Sequence, residues 1–376
     1  MKFTIENAAL TGILAATAKA IPAKPTLAIL HNFLLELSNG LLRVTASDSE
    51  IALRALVRPD ETDDSGSACI PAKIILELMK TLPAGPVSFE LNPGADAMKV
   101  SWKSGESVLP AFPSGDYIQF NVPKKNESAT VSVSSDVLAA AINKTIGAVG
   151  TDEARPIFNG IYFDLAPGTS HLVSTNTKVL LAYAIQTPDL AAKCPFVLPT
   201  KSASILKGTM PKDVTVNIVS DGKSARIAFG NIELTTRLLV GKFPNWQNVL
   251  PVKNENVMTV GREDLINALR RMNVMADKAT SIIKVDLSYN QMSLTGEDLG
   301  YATRGRETLA CDYDGENLAI GVKGTTLVET LSNFEKEEIE IRFKEARTAI
   351  YIIPSGEKAS EEPLQAIVMP YQLGGK

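Results

Sequence analysis

Cys69-Ile70-Pro71-Ala72-Lys73-Ile74-Ile75-Leu76-Glu77-Leu78-Met79-Lys80-Thr81-Leu82 reads as a strand end running straight into a helix. Ile75, Leu78, Met79 and Leu82 fall at i, i+3, i+4 and i+7, which places them on one helical face. The same event recurs at Val197-Leu198-Pro199-Thr200-Lys201, followed by Ser202, Ile205, Leu206 and Thr209. It recurs again at Ile320-Gly321-Val322-Lys323-Gly324, followed by Leu327, Thr330, Leu331 and Phe334. Pro71, Pro199 and Val322 stand about 128 and about 123 residues apart, a spacing that signals internal repetition. Units of that length are domains with their own cores rather than solenoid repeats.

Each unit opens on a helix. The first presents Leu10, Ile13, Leu14, Thr17, Ala18 and Ile21 on one face, the second Leu138, Ala141, Ile142, Thr145 and Ile146, the third Leu265, Ala268, Leu269 and Met272. Ser135 or Asp136 is the expected N-cap of the second, and Glu263 and Asp264 suit the helix dipole in the first turn of the third. Strands follow: Phe33–Leu37, the turn Ser38-Asn39-Gly40 and Leu41–Thr45 form a hairpin signal, with counterparts in the other two units. Further strands follow the second helix of each unit, at Val87–Leu91, Val214–Ile218 and Glu338–Phe343. The pattern is an α+β domain of two similar halves, repeated three times. Polar, Pro-containing connectors at Pro123–Glu127 and Pro251–Asn256 set the expected domains at 1–126, 127–253 and 254–376.

Composition bounds the function. The 376 residues carry 38 basic and 42 acidic side chains, a net charge of −4, which argues against a protein that coats nucleic acid by bulk charge. No apolar run reaches membrane-spanning length, and the start lacks a signal-peptide apolar region, so the expectation is a cytoplasmic protein without a membrane partner. Cys69, Cys194 and Cys311 are expected to be buried free thiols.

Catalytic patterns fail on inspection. His31 and His171 have no nucleophile or metal-ligand partner at motif spacing. Gly222-Lys223-Ser224 lies between strands and lacks the upstream glycine of a phosphate loop, so it reads as a hairpin turn. No metal, cofactor or catalytic residue is expected. Lys19, Lys24, Lys80, Lys144, Lys201, Lys207, Arg270, Arg271 and Lys278 lie on or beside the helices. Singly they are solvated helix faces; lining one surface, they would form a basic patch.

Taken together these residues resemble the bacterial DNA polymerase III β subunits, the β sliding clamps. The resemblance runs the whole length. It rests on Met1-Lys2-Phe3-Thr4, Lys24-Pro25-Thr26-Leu27-Ala28-Ile29-Leu30, Arg155-Pro156-Ile157-Phe158-Asn159-Gly160, the Gly241-Lys242-Phe243-Pro244 element within Val240–Pro251, and the ending Val368-Met369-Pro370-Tyr371-Gln372-Leu373. It implies three clamp domains, each of two β-α-β-β-β halves, and a head-to-tail homodimeric ring with helices inside and sheets outside. It implies a DNA sliding clamp, a processivity factor without catalytic activity. Such a ring encircles double-stranded DNA and is opened by a clamp loader. It tethers the DNA polymerase III catalytic subunit and other polymerases or repair proteins through linear peptide motifs.

By the same resemblance, Phe158, Thr175, Thr177, Leu180, Pro244, Val249, Val368, Met369, Pro370, Tyr371 and Leu373 match peptide-binding positions. Lys24, Arg155 and Lys201 match DNA-facing ones. The region Met98–Phe112 is expected to meet Val274, Met275 and Arg304–Arg306 of a second copy. Many clamps have Asp-Gly-His-Arg after the threonine, where this chain has Asn176-Thr177-Lys178-Val179. Basic residues often follow Phe-Pro-Asp-Tyr in clamps, where this chain has Gln247-Asn248. A two-domain trimeric clamp would need a chain about two-thirds as long. An enzyme of unrecognised type is the rival of a different class, separable by its dependence on a nucleotide or metal.

Overall fold

The computed structural model describes every residue except 25, 93, 95, 119–128, 251–253, 357–362 and 374–376. The connector expected at Pro123–Glu127, and Pro251–Lys253 of the second, lie outside the described residues. The chain forms two compact units, Met1–Ala139 with Asp189–Leu238 and Ala140–Pro188 with Leu239–Lys376.

Among the described residues six α-helices mark the repeat: α1 (Asn7–Thr17), α2 (Ala72–Thr81), α3 (Ser135–Thr145), α4 (Thr200–Thr209), α5 (Arg262–Met275) and α6 (Gly324–Leu331). Strands Gly66–Pro71, Phe196–Pro199 and Leu318–Lys323 lead into α2, α4 and α6 with no intervening loop. Pro71 and Pro199 hold φ at −55° and −56° with extended ψ where α2 and α4 begin. A fixed proline φ suits a residue that ends a strand and begins a helix.

The helix faces follow the periodicity with small shifts. Ala72, Ile75 and Met79 are the buried residues of α2, while Leu78 and Leu82 are only half-buried. In α4, Ser202, Ala203, Ile205 and Leu206 are buried and Thr209 is half-buried. Helix α3 begins at Ser135, so its cap lies one residue earlier than expected: the Ser134 hydroxyl accepts from the Asp136 amide at 3.3 Å. Ser135 and Asp136 instead accept from the amides of Val214 and Asp213, tying the helix start to the connector ahead of strand Thr215–Ser220.

In the first unit a sheet runs Ala129–Ser134, Thr215–Ser220, Ser224–Phe229, Ile232–Arg237, Ile51–Val57, Leu41–Ser47, Asn32–Ser38 and Gly66–Pro71. Its hairpin turns on Asn39 and Gly40, both at positive φ, with Ser38 opposite Leu41. Gly222-Lys223-Ser224 is a hairpin turn, as its sequence suggests, with the Asp221 carboxylate accepting from the amides of Lys223 and Ser224. A second sheet runs Glu61–Thr62, Lys2–Glu6, Pro86–Glu90, Ala97–Trp102 and Gly105–Pro110.

The second unit repeats the plan. One sheet passes through Gly160–Asp164, Gly168–Thr175, Val179–Thr187, Leu364–Val368, Ile350–Pro354, Glu338–Phe343, Asn256–Gly261 and Asp312–Tyr313. The other runs Thr303–Ala310, Gln291–Asp298, Ile282–Ser288 and Leu318–Lys323. Its core gathers α5 residues Leu265, Leu269 and Met272 with Leu327 and Leu331 of α6 and the inward residues of both sheets.

Three repeats give two units because the middle repeat is shared. Its second half extends the first sheet through Ile232–Arg237 paired with Ile51–Val57. Its first half extends the other through Val179–Thr187 paired with Leu364–Val368. The two seams use the same helix device. The Lys19 ammonium donates to the Gly208 carbonyl at the end of α4. Lys144 donates to the Asn333 carbonyl beyond α6 and pairs with Glu335 at 2.8 Å. A cation at a helix carboxyl end satisfies orphan carbonyls and complements the dipole.

Candidate peptide-binding cleft

Strands Gly168–Thr175 and Val179–Thr187 are joined by a loop that hydrogen bonds to itself. The Thr175 hydroxyl donates to the Val179 carbonyl at 2.7 Å and accepts from the Thr177 amide at 3.0 Å. The Asn176 side-chain oxygen accepts from the amides of Lys178 and Val179. The loop closes with Thr177 at φ 72°, a left-handed conformation that costs a residue with a Cβ ~1–2 kcal/mol. Its own hydrogen bonds offset that cost, so the loop presents Lys178 from a fixed backbone.

Leu180 and its cross-strand partner Ile367 form the floor beyond this loop. The opposite wall is Phe243, Pro244 and the single turn Trp246–Val249. Phe243 stacks on Tyr162 at 4.5 Å and meets the Phe158 ring edge-on at 5.8 Å. The buried Trp246 indole donates to the Asp164 carboxylate at 2.9 Å, which fixes the turn and with it Val249. Gly241 reaches this wall at φ 137°, a conformation only glycine adopts readily. The carboxyl-terminal segment closes the third side: the Met369 amide donates to the Lys178 carbonyl at 2.8 Å, and Met369 lines the hollow. The hollow holds about 220 Å³ and is lined mainly by apolar atoms.

Of the eleven matched positions, Phe158, Thr175, Thr177, Leu180, Pro244, Val249 and Met369 line this one hollow. Val368 does not. It pairs with Val179 and Ile350 and is 2% exposed, inside the core. Tyr371 sits at the rim beside Lys178, its amide donating to the Gly321 carbonyl, and Leu373 packs over Gly321. Pro370 bridges the two regions, half-buried. Lys178, Val179, Phe243, Trp246, Ala349 and Ile367 also line the hollow and were not among the matched positions. Phe243 and Trp246 belong to the quoted Val240–Pro251 stretch and are legible there. Nothing local marks Ala349 or Ile367: pairing with Leu180 brings Ile367 to the cleft, and Ala349 lies just ahead of strand Ile350–Pro354.

The three matched basic residues part company. Lys24 is exposed on the loop after Ala20, and Lys201 is exposed in the first turn of α4, paired with Asp48. Both belong to the first unit. Arg155 belongs to the second, pairs with Asp152 at 2.9 Å and lies 5.8 Å from the Phe158 ring centre, beside the cleft.

His171 and the cysteines are structural. His171 packs against Trp246 at 5.0 Å, and burial lowers its pKa against an opposing pull from Asp164. Cys69 is buried and its thiol is pushed up to about 12, which keeps it unreactive. Cys194 is half-buried rather than buried. A polar hollow of about 480 Å³ in the first unit is lined by Arg43, Arg54, Arg226, Glu36 and Glu233, which form ion pairs across five strands.

A threefold domain repeat whose carboxyl end builds an apolar groove defines a protein that holds partners rather than transforms them. Comparison with known proteins gives that class its family. The N-terminal, central and C-terminal domain profiles of the DNA polymerase III beta subunit match residues 1–121, 132–245 and 247–372, nearly the whole chain. The Beta sliding clamp of Pseudomonas putida is 24% identical over 99% of this chain and 100% of its own length. That of Caulobacter vibrioides is 26% identical over 94% and 96%. A crystal structure of the sliding clamp from Pseudomonas aeruginosa bound to griselimycin shares the fold at a TM-score of 0.91, with 22% identity over 99% of this chain and all of that one. The chain belongs to the DNA polymerase III beta subunit family, the sliding clamps. It is a processivity subunit with no catalytic chemistry of its own.

Proposed function

We propose that two copies close head to tail around duplex DNA and that partner proteins dock through short peptides in the cleft of the second unit. The cleft carries this reading: seven residues from four separate stretches converge on one apolar hollow, of the kind that accepts the anchors of a linear segment. Phe158, Thr175, Thr177, Leu180, Pro244, Val249 and Met369 contact the peptide directly. Pro370, Tyr371 and Leu373 hold the rim, and Val368 anchors the segment from within. The cleft's chemistry also suits a peptide-like ligand such as the griselimycin bound by the Pseudomonas aeruginosa clamp.

Edge strands support the dimer. Gly105–Pro110 ends one sheet of the first unit and Thr303–Ala310 ends one sheet of the second. Val108 lies on the first edge, and Val274 lies on α5 beside Met275, whose carbonyl accepts from the Thr303 hydroxyl at the start of the second; both valines are exposed. A chain with two unlike ends closes by heterologous contacts, and pairing these edges between copies would remove both. Glu106 on the first edge already pairs with Lys99 of the neighbouring strand at 2.6 Å, while Arg306 donates to the Ser293 hydroxyl beside the second. The domain divisions 1–126, 127–253 and 254–376 then place two equal sets of three around the hole.

A ring retains DNA by topology, so basic residues need only tolerate and orient the duplex while salt-dependent attraction stays small. Lys24 and Lys201 serve that role from the helix-bearing side of the first unit; the pairing with Asp48 moderates Lys201. A clamp loader opens the ring, and the protein works in the cytoplasm with the chromosome. Among the described residues no helix is long and apolar enough to cross a membrane. Loaded protein should remain on nicked circular DNA and slide off after linearisation. Lys24→Glu with Lys201→Glu should slow loading and flatten the salt slope while leaving the dimer intact. Loss at equal rates from circular and linear DNA would refute encirclement. Unchanged loading in the double variant would remove the two lysines from the DNA face.

A further inference from the structure

In the first unit the buried side-chain atoms Thr45 Oγ1, Thr235 Oγ1 and Arg226 Nε have no hydrogen-bond partner among the described residues. They share one face of one sheet. Thr45 stands opposite Arg54, Arg54 opposite Glu233 and Arg226 opposite Thr235, while Glu233 and Thr235 alternate on one strand. Thr45 and Thr235 are 3% and 1% exposed, so bulk water satisfies neither hydroxyl. Thr45 and Arg226 line the polar hollow of about 480 Å³, together with Arg43, Arg54, Glu36 and Glu233. Three guanidiniums face two carboxylates there, an excess of one positive charge. Glu233 serves two of them at once, taking one N–H from Arg54 at 3.4 Å and one from Arg226 at 3.3 Å. Charge-assisted bonds between such groups usually close to about 2.7–2.9 Å. Arg43 meets Glu36 only at 3.7 Å. A guanidinium carries several N–H donors, so these pairs leave most of them unused. Leu56, Ile118 and Ile232 add an apolar wall. The Gly230-Asn231 turn is tied to it, since the Asn231 side chain donates to the Leu56 carbonyl at 2.8 Å and the Leu56 amide donates to the Asn231 carbonyl at 2.9 Å.

We infer that this hollow binds a small organic oxyanion, a phosphate monoester or a carboxylate on an apolar body, with Arg54, Arg226 and the Thr45 hydroxyl as its donors. The inference goes beyond the docking and ring readings and depends on neither. Planar guanidinium forks match the oxygen spacing of both head groups. The volume suits a small molecule whose apolar body lies against Leu56 and Ile232. One excess charge suits one anionic head, whereas a polyanion would meet Glu36 and Glu233 and be repelled. Arg54 lies on Ile51–Val57 of the first repeat and Arg226 on Ser224–Phe229 of the middle one. An anion held by both therefore fastens the seam between the two repeats within this unit.

The test titrates the intact chain with phenyl phosphate, benzoate and the neutral benzamide, by calorimetry and by thermal midpoint. At least one of the anions should bind wild type and raise the midpoint, as a ligand of the folded state does; the tighter of the two names the head group. Benzamide should do neither. Arg226→Gln should weaken the anion about tenfold, the scale of a hydrogen bond to a charged group. Thr45→Val keeps the shape and removes the orphan hydroxyl. It should weaken the anion about fivefold and leave the ligand-free midpoint unchanged or higher, because no internal hydrogen bond is lost. A lowered ligand-free midpoint with unchanged affinity would give Thr45 to the fold alone and overturn its role as a donor. Failure of both anions to bind folded wild type at millimolar concentration would overturn the site. So would equal anion affinity in wild type and both variants, which would place an adventitious anion elsewhere on the protein.

Discussion

Gly321→Ala should peel the carboxyl-terminal segment off the rim of the cleft. Gly321 lies in strand Leu318–Lys323, opposite Lys284 on one side and bridged to Tyr371 on the other. A Cβ at this position would sit 2.5 Å from the Tyr371 carbonyl oxygen and 3.1 Å from Leu373 Cδ2. The leucine can rotate away, but the carbonyl cannot, because the Tyr371 amide of the same residue is bonded to the Gly321 carbonyl at 2.8 Å. Pairing with Lys284 fixes the strand, so the segment moves. Losing the Tyr371 hydrogen bond costs about 1 kcal/mol, and losing the half-buried contact of Leu373 costs about 1 kcal/mol more. Together they shift the docked-to-undocked ratio of the segment roughly thirtyfold. Met369, held separately by Lys178, should stay, so peptide affinity should fall about threefold to tenfold rather than vanish. Amide hydrogen exchange at Tyr371 and a peptide titration read the two effects, and the thermal midpoint of the core should change little. Native protection at Tyr371 together with wild-type peptide affinity would refute the reasoning. Leu373→Ala, which removes one of the two contributions, should lie between.

Met369→Ala with Pro370→Ala should weaken peptide and polymerase binding by about 2 kcal/mol or more, since a few anchors supply most of the energy of such sites; equal affinity in a calorimetric titration would remove the segment from the site. Truncation from Val368 is a harsher cut than its place near the terminus suggests. It removes a core residue and its pairing with Val179 and Ile350, so it should lower unfolding stability as well as binding. Truncation from Tyr371 should affect binding with little loss of core stability, and deletion of 374–376 should cost little. Asp164→Ala should destabilise the protein by about 1–3 kcal/mol in urea unfolding, because the buried Trp246 indole N–H loses its acceptor. An unchanged urea midpoint would mean the indole finds another partner.

Much of this architecture is local, and the sequence by itself determines it. The strand-to-helix junctions at Pro71, Pro199 and Lys323 repeat because a strand-ending residue with φ between −55° and −77° and extended ψ leads straight into a segment of 3.6-residue periodicity. Asn39-Gly40 and Gly222 mark their turns because positive φ is cheap there. The family pattern in Gly241–Pro244 and Val368–Leu373 points to the cleft before any coordinate is known. Tertiary structure decides what those apolar faces meet. No periodicity states that Ile232–Arg237 pairs with Ile51–Val57, leaving the middle repeat divided between two units. Val368 and Met369 are neighbours of similar polarity, yet strand pairing turns the first into the core and the second into the groove. Arg155 reads as one more basic residue until its contacts with Asp152 and Phe158 place it beside the cleft. Lys178 becomes the lone charge among the described lining residues only when three distant stretches fold around it. Hydrophobic patterning is a property of a few consecutive residues, whereas a site is a property of surfaces brought together from afar, and only packing selects which surfaces those are.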